Sequence, residues 1–163
     1  MNADVGQTLP MTDSSIDRIM KAYASDAVAI AARRGVTFDY SEQSLGSVDE
    51  LLGRASFIGL TPMVPESPED EEALWMLSKL FGAYVGEVAL RVFNGEWVGE
   101  LTDDGGIRPM IEVQGIKGFP VEKVWKRLTE SEFDSLGGYY RALRVIIERQ
   151  TTDNPGGATN GAG

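Results

Sequence analysis

The chain has 163 residues, no cysteine and no histidine, and its 25 acidic and 15 basic residues give a net charge of −10. Without histidine or cysteine it lacks the usual base at neutral pH, thiolate nucleophiles and the common zinc ligands. The charge disfavours nucleic acid, because phosphate binding needs clustered lysine and arginine. We therefore predict no enzymatic activity, no cofactor, no metal ion and no nucleic-acid partner.

The two ends of the sequence differ from its middle. Residues 1–12 lack apolar periodicity, and residues 151–163 are small or polar with nothing to bury. We predict both to be disordered and residues 13–150 to form one domain. The N-terminus lacks the apolar segment of a signal peptide, and charged residues interrupt the most apolar stretch, residues 74–93. These features favour a cytoplasmic protein without a membrane-spanning helix.

Three helices are predicted before residue 94. The first is capped by Ser14 or Ser15, has apolar residues at spacings of three and four, and ends at Gly35. Ser47 is expected to cap a brief helix over residues 48–54. Ser67, followed by a proline and acidic residues, predicts the start of a third helix that continues to about residue 93.

The end of the third helix has an alternative interpretation. Asn94-Gly95 between residues 88–93 and 96–101 is also a signal for a β-hairpin. We favour the helix because the spacing of three and four runs unbroken from Leu74, with Gly95 as the left-handed residue that ends it. Gly82 and Gly86 lie inside this helix and predict close packing against the sheet or the first helix.

The second half of the chain predicts strands followed by helices. Strands over residues 96–101 and 107–113 flank a polar turn containing two glycines, and residues 116–119 can add a third strand. A helix over residues 121–128 follows, and a last helix of about 17 residues, capped by Thr129 or Ser131, ends near Arg149. The predicted fold is α+β, with helices packed around a two- or three-stranded antiparallel sheet.

Several segments resemble a group of uncharacterised bacterial domains, the domain-of-unknown-function 3806 group. The matching pieces span most of residues 14–147; they are residues 38–45, 82–91, 95–97, 119–128, 132–136 and 139–140. Such domains usually have two glycines before the tryptophan, where this chain has Asn94-Gly95 before Trp97. The resemblance implies a bacterial source, but the group has no established activity to transfer to these residues.

Charge and aromatic residues predict a surface for a basic protein partner. Residues 1–75 carry 13 acids and 5 bases, a net charge of −8, whereas residues 76–163 have a net charge of only −2. Such an acidic region attracts a basic partner, and exposed tryptophans are frequent binding hot spots. The predicted partner-binding residues are Glu69, Asp70, Glu71, Glu72, Trp75 and Trp97. A solvated acidic helix start and tryptophans in the core are the structural alternative.

A second candidate site is a pocket beside the third helix. Glu87 and Arg91 are four residues apart, in the order that favours an ion pair on a helix. A pocket that brings this pair together with charges of the following helix would contain Tyr84, Glu87, Arg91, Lys126 and Arg127. The alternative is an ion pair that helps to seat the sheet.

These observations favour a cytoplasmic protein-interaction module, in its most concrete form an inhibitor or immunity-type protein that masks a basic partner. Two other functions stay open at this point. One is a small-molecule-binding protein or carboxylate-based enzyme at the predicted pocket. The other is a structural, self-associating subunit that uses the small-residue face of the third helix as a homo-oligomer contact.

Overall fold

The computed structural model describes residues 13–53, 65–130 and 135–153, in which five helices pack with a three-stranded antiparallel sheet. This confirms the predicted α+β class. The elements follow in the order α1 Asp13–Arg33, α2 Ser44–Gly53, α3 Pro68–Phe93, β1 Glu96–Leu101, β2 Ile107–Val113, β3 Ile116–Gly118, α4 Pro120–Thr129 and α5 Leu136–Asp153.

Helix α3 is the centre of the fold. Every residue from Leu80 to Ala89 is buried, because α1 and α4 both pack against this helix and β2 approaches it. Helix α1 also contacts β1, and α2 packs against α5. The core is therefore continuous from the sheet through α3 to the two C-terminal helices.

Two glycines allow the close packing around α3. A Cβ atom at Gly82 would lie 2.5 Å from the Cα of Val121 in α4, and one at Gly86 would lie 2.2 Å from the Trp97 ring of β1. Such distances leave no room for a side chain. The predicted packing against the sheet is confirmed for Gly86, whereas Gly82 meets α4 and not the first helix.

The helical interpretation of residues 88–93 is confirmed, since α3 continues to Phe93. Asn94 adopts the left-handed conformation with φ of 57°, and its N–H donates to the carbonyl of Leu90. The expectation that Gly95 would be the left-handed residue is wrong. Gly95 is needed for space, because a Cβ there would lie 2.3 Å from the carbonyl oxygen of Glu112.

The sheet has the strand order β1-β2-β3. Glu96 pairs with Glu112 and Leu101 with Ile107, so the two longer strands are in register from end to end. The turn between β2 and β3 consists of Gln114 and Gly115, which both have positive φ, as a two-residue type I′ hairpin requires. All three predicted strands are confirmed.

Several predicted boundaries of the helices are wrong. Helix α1 begins at Asp13, and α2 begins at Ser44 rather than near residue 48, which places Ser47 inside the helix. Ser44 follows a turn in which its N–H approaches both the carbonyl oxygen and the hydroxyl of Ser41. The end of α1 is as predicted, with Gly35 left-handed at φ of 73°.

The last two helices also differ from their predicted limits. Thr129 belongs to α4, and its hydroxyl donates to the Trp125 carbonyl. The N-terminus of α5 is capped by Ser135, whose hydroxyl accepts the N–H of Gly138 at 3.0 Å. Helix α5 continues to Asp153, so residues 151–153 are helical rather than part of a disordered tail. Ser131 and the predicted disordered residues 1–12 and 154–163 lie outside the described residues.

Helix α3 has the length and composition of a membrane-crossing helix, contrary to the expectation that its charges make it too polar. Of its most apolar window, 67 % is buried inside the fold. The apolar character of α3 is therefore accounted for by its position in the core.

Candidate functional site

The start of α3 presents carboxylates to solvent. Ser67 has an extended backbone, its hydroxyl accepts the N–H of Asp70 at 3.2 Å, and Pro68 occupies the first helical position. Glu69, Glu71 and Glu72 are exposed. Their charges lie at the positive end of the helix dipole, which stabilises them there. We call these three residues together with Asp70 the acidic start of α3.

Asp70 differs from its three acidic neighbours. It is half-buried, and its carboxylate accepts the N–H of Glu66 at 3.2 Å while its own N–H donates to Ser67. The arrangement differs from a capping box, because Asp70 accepts the N–H of Glu66 rather than that of the cap residue Ser67. Of the four predicted acidic contacts, Asp70 therefore serves the helix start, and three remain available to a partner.

A stacked pair of tryptophans lies one to two turns further along α3. The rings of Trp75 and Trp125 are 4.1 Å apart and nearly parallel at 12°, and both residues are half-buried. Next to Trp75 the side chain of Met76 is 44 % exposed. The stacking of Trp125 on Trp75 was not predicted from sequence, because it depends on α4 packing against α3.

Trp97 is not a surface residue. It is 0 % exposed, its ring lies over Gly86, and its Nε1–H donates to Oε1 of Glu87 at 2.8 Å. The prediction that Trp97 contacts a partner is therefore wrong. Neighbouring strand residues point to opposite faces, and the Trp97 ring occupies the space left by the missing side chain of Gly86 while Val98 faces the other side.

The predicted pocket around Glu87 is not assembled. Glu87 is 5 % exposed and receives its hydrogen bond from Trp97, whereas the guanidinium of Arg91 lies over the Tyr40 ring, 3.7 Å from its centre. Lys126 is exposed on α4. Glu87 is a buried acceptor for the Trp97 indole, and the expected ion pair between Glu87 and Arg91 is replaced by a cation–π contact.

Arg127, the last member of the predicted pocket, belongs to a different contact. Its Nε is 3.6 Å from Oδ1 of Asp49, and its Nη2 donates to the Asp49 carbonyl at 3.3 Å. The same carboxylate accepts the N–H groups of Leu136 at 2.8 Å and Gly137 at 3.1 Å. Asp49 thus caps α5 from α2 and joins α2, α4 and α5.

Tyr84 is also structural in this arrangement. Its hydroxyl accepts the N–H of Tyr40 at 2.8 Å and lies 2.6 Å from the hydroxyl of Ser44. Burial raises the pKa of Tyr84, which keeps the hydroxyl protonated. Tyr40 has φ of 62°, a conformation that costs about 1–3 kcal/mol in a residue other than glycine. The hydrogen bond and the ring contact with Tyr84 hold it there.

A cleft of about 660 Å³ lies beside the contact between α2 and α5. Glu42 accepts from the Tyr140 hydroxyl at 2.6 Å and forms an ion pair with Arg144, and burial raises the pKa of Tyr140 to about 12. Asp49 already accepts hydrogen bonds from the first residues of α5. Glu42, Asp49 and Tyr140 are thus paired within the protein, whereas Nε of Arg144 is buried without a hydrogen bond to the described residues. In the part of the chain that the structure describes, no three acidic side chains converge as a metal site would require.

Comparison with known proteins adds no functional information. No protein-family model, curated protein or solved structure matches this chain. The resemblance to the domain-of-unknown-function 3806 group stays a prediction. The functional argument therefore depends on the surfaces described above.

Proposed function

We propose that this protein is a cytoplasmic protein-interaction module that binds a basic protein partner through the acidic start of α3. The observation that supports this most is the exposure of Glu69, Glu71 and Glu72 beside the half-buried pair of Trp75 and Trp125. Carboxylates steer and orient a cationic partner, while aromatic side chains provide the apolar contact that carries affinity. An inhibitor or immunity-type protein that masks a basic partner is the most concrete form.

The predicted contact has a distinct geometry. Glu69, Asp70 and Glu71 occupy the first turn of α3, Glu72 follows directly, and Met76 is exposed about two turns from the beginning of the helix. Methionine and tryptophan are enriched in interface cores, and charges in the rim. We expect lysine or arginine of the partner to meet the first turn, with an apolar partner residue against Met76 and the tryptophan pair.

Capture from a lysate of the source cells tests the proposal. The test variant replaces Glu69, Glu71 and Glu72 by glutamine, which removes three charges without altering size. The matched control replaces Glu96, Glu130 and Glu148, which are equally exposed, so both variants have the same net charge. Captured proteins are compared at about 0.05 M and about 1 M salt, since salt screens exposed charges.

The proposal predicts a basic protein that the wild type and the control variant both capture at low salt, and the test variant does not. At high salt the capture is expected to weaken for all three. Equal capture by both variants would contradict the proposed surface, and capture of no basic protein would contradict the proposed partner class.

A further inference from the structure

A second surface has the opposite charge character from the acidic start of α3. A groove of about 310 Å³ runs between β3, α4 and α5. Its apolar lining includes Phe119, Leu143 and Ile146, and the last of these is 51 % exposed. A pocket of this size is at the lower end of the range for small-molecule sites.

The two ends of the groove differ, because α5 lies along β3 with its N-terminal end towards α4. Tyr139 lies over Gly118 at one end, and Gln150 donates to the Gln114 carbonyl beyond the other. About two helical turns, or about 11 Å, separate Tyr139 from Ile146. The Tyr139 end adjoins α4, and the opposite end is apolar with Ile116 and Ile146.

Basic residues line the groove on a protein whose net charge is −10. Lys117, Lys123 and Lys126 are all part of its wall, and Lys117 and Lys126 are exposed. Glu122, the acidic residue of the wall, is held by Arg108 through both carboxylate oxygens. Lysines therefore outnumber carboxylates in the wall of the groove, and Glu112 lies opposite Lys117 on the neighbouring strand.

Tyr139 lines the groove, and its hydroxyl oxygen is buried without a hydrogen bond of ordinary geometry to the described residues. The Phe119 backbone acts on this oxygen and lowers its pKa, but burial has the larger effect. Burial raises the pKa of Tyr139 to about 12, so the group is a neutral donor at physiological pH.

We propose that this groove binds a single-chain amphipathic carboxylate of medium length. The carboxylate would lie beside the lysines at the α4 end of the groove, and the alkyl chain would follow Leu143 towards Ile146 and Ile116. Charge complementarity selects an anion, the apolar end selects an alkyl chain, and the length of about two helical turns limits that chain. This site is separate from the proposed partner surface.

Titration with decanoate, followed by calorimetry on the full chain, tests the proposal below the concentration at which the probe self-associates. Decyltrimethylammonium serves as the cationic probe of equal chain length. Lys117→Glu with Lys126→Glu reverses the rim, and Lys21→Glu with Arg149→Glu is the control with the same net charge. Ala142→Trp fills the groove, and Ala22→Trp places the same ring on an exposed position of α1.

We expect saturable decanoate binding that the rim reversal weakens about tenfold and Ala142→Trp removes, while both controls stay within about twofold of wild type. Circular dichroism of every variant confirms that the helices persist. Absence of saturable decanoate binding would overturn the proposal. Equal affinity for the cationic probe, or binding that is unchanged by both groove variants, would overturn it as well.

Discussion

The two halves of α3 have different surroundings. From Leu80 to Ala89 every residue is buried, and glycines admit Val121 and Trp97 to the helix surface. Before Leu74 the same helix exposes Glu69, Glu71 and Glu72. One continuous helix thus has a C-terminal half that holds the fold together and an N-terminal half whose carboxylates are exposed to solvent.

The difference shows what each kind of sequence pattern can establish. In the C-terminal half, small residues and the spacing of three and four predict burial, because only a packed helix needs both. In the N-terminal half, the acids predict a helix start equally well with or without a partner. Stability measurements can therefore test the first half, whereas the second needs binding measurements as well.

The largest effect is expected for Trp97→Ala. Loss of a fully buried tryptophan costs about 3–5 kcal/mol of the free energy of unfolding, and Glu87 would lose its hydrogen-bond donor. Trp75→Ala, which truncates a half-buried ring, is expected to cost clearly less. Urea denaturation measures both losses of free energy, provided that the m values of the variants equal that of wild type. Equal losses for the two variants would contradict the division of α3.

Gly82→Ala is expected to destabilise by about 1–3 kcal/mol, because the new Cβ would meet the Val121 backbone at 2.5 Å. Helix propensity alone would predict a gain of about 1 kcal/mol. Gly46→Ala in α2 is the matched control, since its Cβ would meet nothing within 4 Å. That variant should gain about 0.4–1 kcal/mol. A stabilised Gly82→Ala protein would show that α4 does not pack closely on α3.

Ser67→Ala removes the cap of the exposed half and is expected to cost about 1 kcal/mol, measured by urea denaturation. Ser47→Ala is the control, because Ser47 lies inside α2 rather than at its cap. Its cost should stay within about 0.5 kcal/mol. A larger loss of stability for Ser47→Ala than for Ser67→Ala would indicate that Ser47 caps α2, as the sequence predicts.

The smallest effect on stability is expected for Met76→Ser. Met76 is 44 % exposed, so the free energy of unfolding of the variant, measured by thermal denaturation, should stay within about 0.5 kcal/mol of wild type. Capture of the basic partner should nevertheless decrease. Val145→Ser, at 45 % exposure on α5, is the control that should change neither quantity. Undiminished capture by Met76→Ser would remove the apolar part of the proposed contact.

Local signals in the sequence were sufficient for most elements of the fold. The glycines and proline at element ends, the run from Leu74 and the alternation of the strands predict the α+β class, and the structure confirms it. The start of α2 was misplaced because Ser47 is itself a favourable cap residue, whereas the hydroxyl of Ser41 accepts the N–H of Ser44, the first residue of the helix.

The candidate sites were harder to predict because they depend on contacts between distant residues. Trp97 and Glu87 are ten positions apart, and no local rule indicates that the indole would bury the carboxylate. Asp49 and Arg127 come from α2 and α4. The position of the acidic start of α3 at a helix N-terminus follows from the sequence alone, because the helix dipole favours acids there, whereas the exposure of Glu69, Glu71 and Glu72 depends on the tertiary fold.

The most direct test is the affinity of the purified partner for the two triple glutamine variants. Three exposed charges should together change affinity by about tenfold or more. We expect the Glu69, Glu71 and Glu72 variant to bind at least about tenfold more weakly than wild type, with a similar unfolding midpoint, and the Glu96, Glu130 and Glu148 variant to bind as wild type does. Equal affinities of the two variants would contradict the assignment of recognition to the N-terminal half of α3.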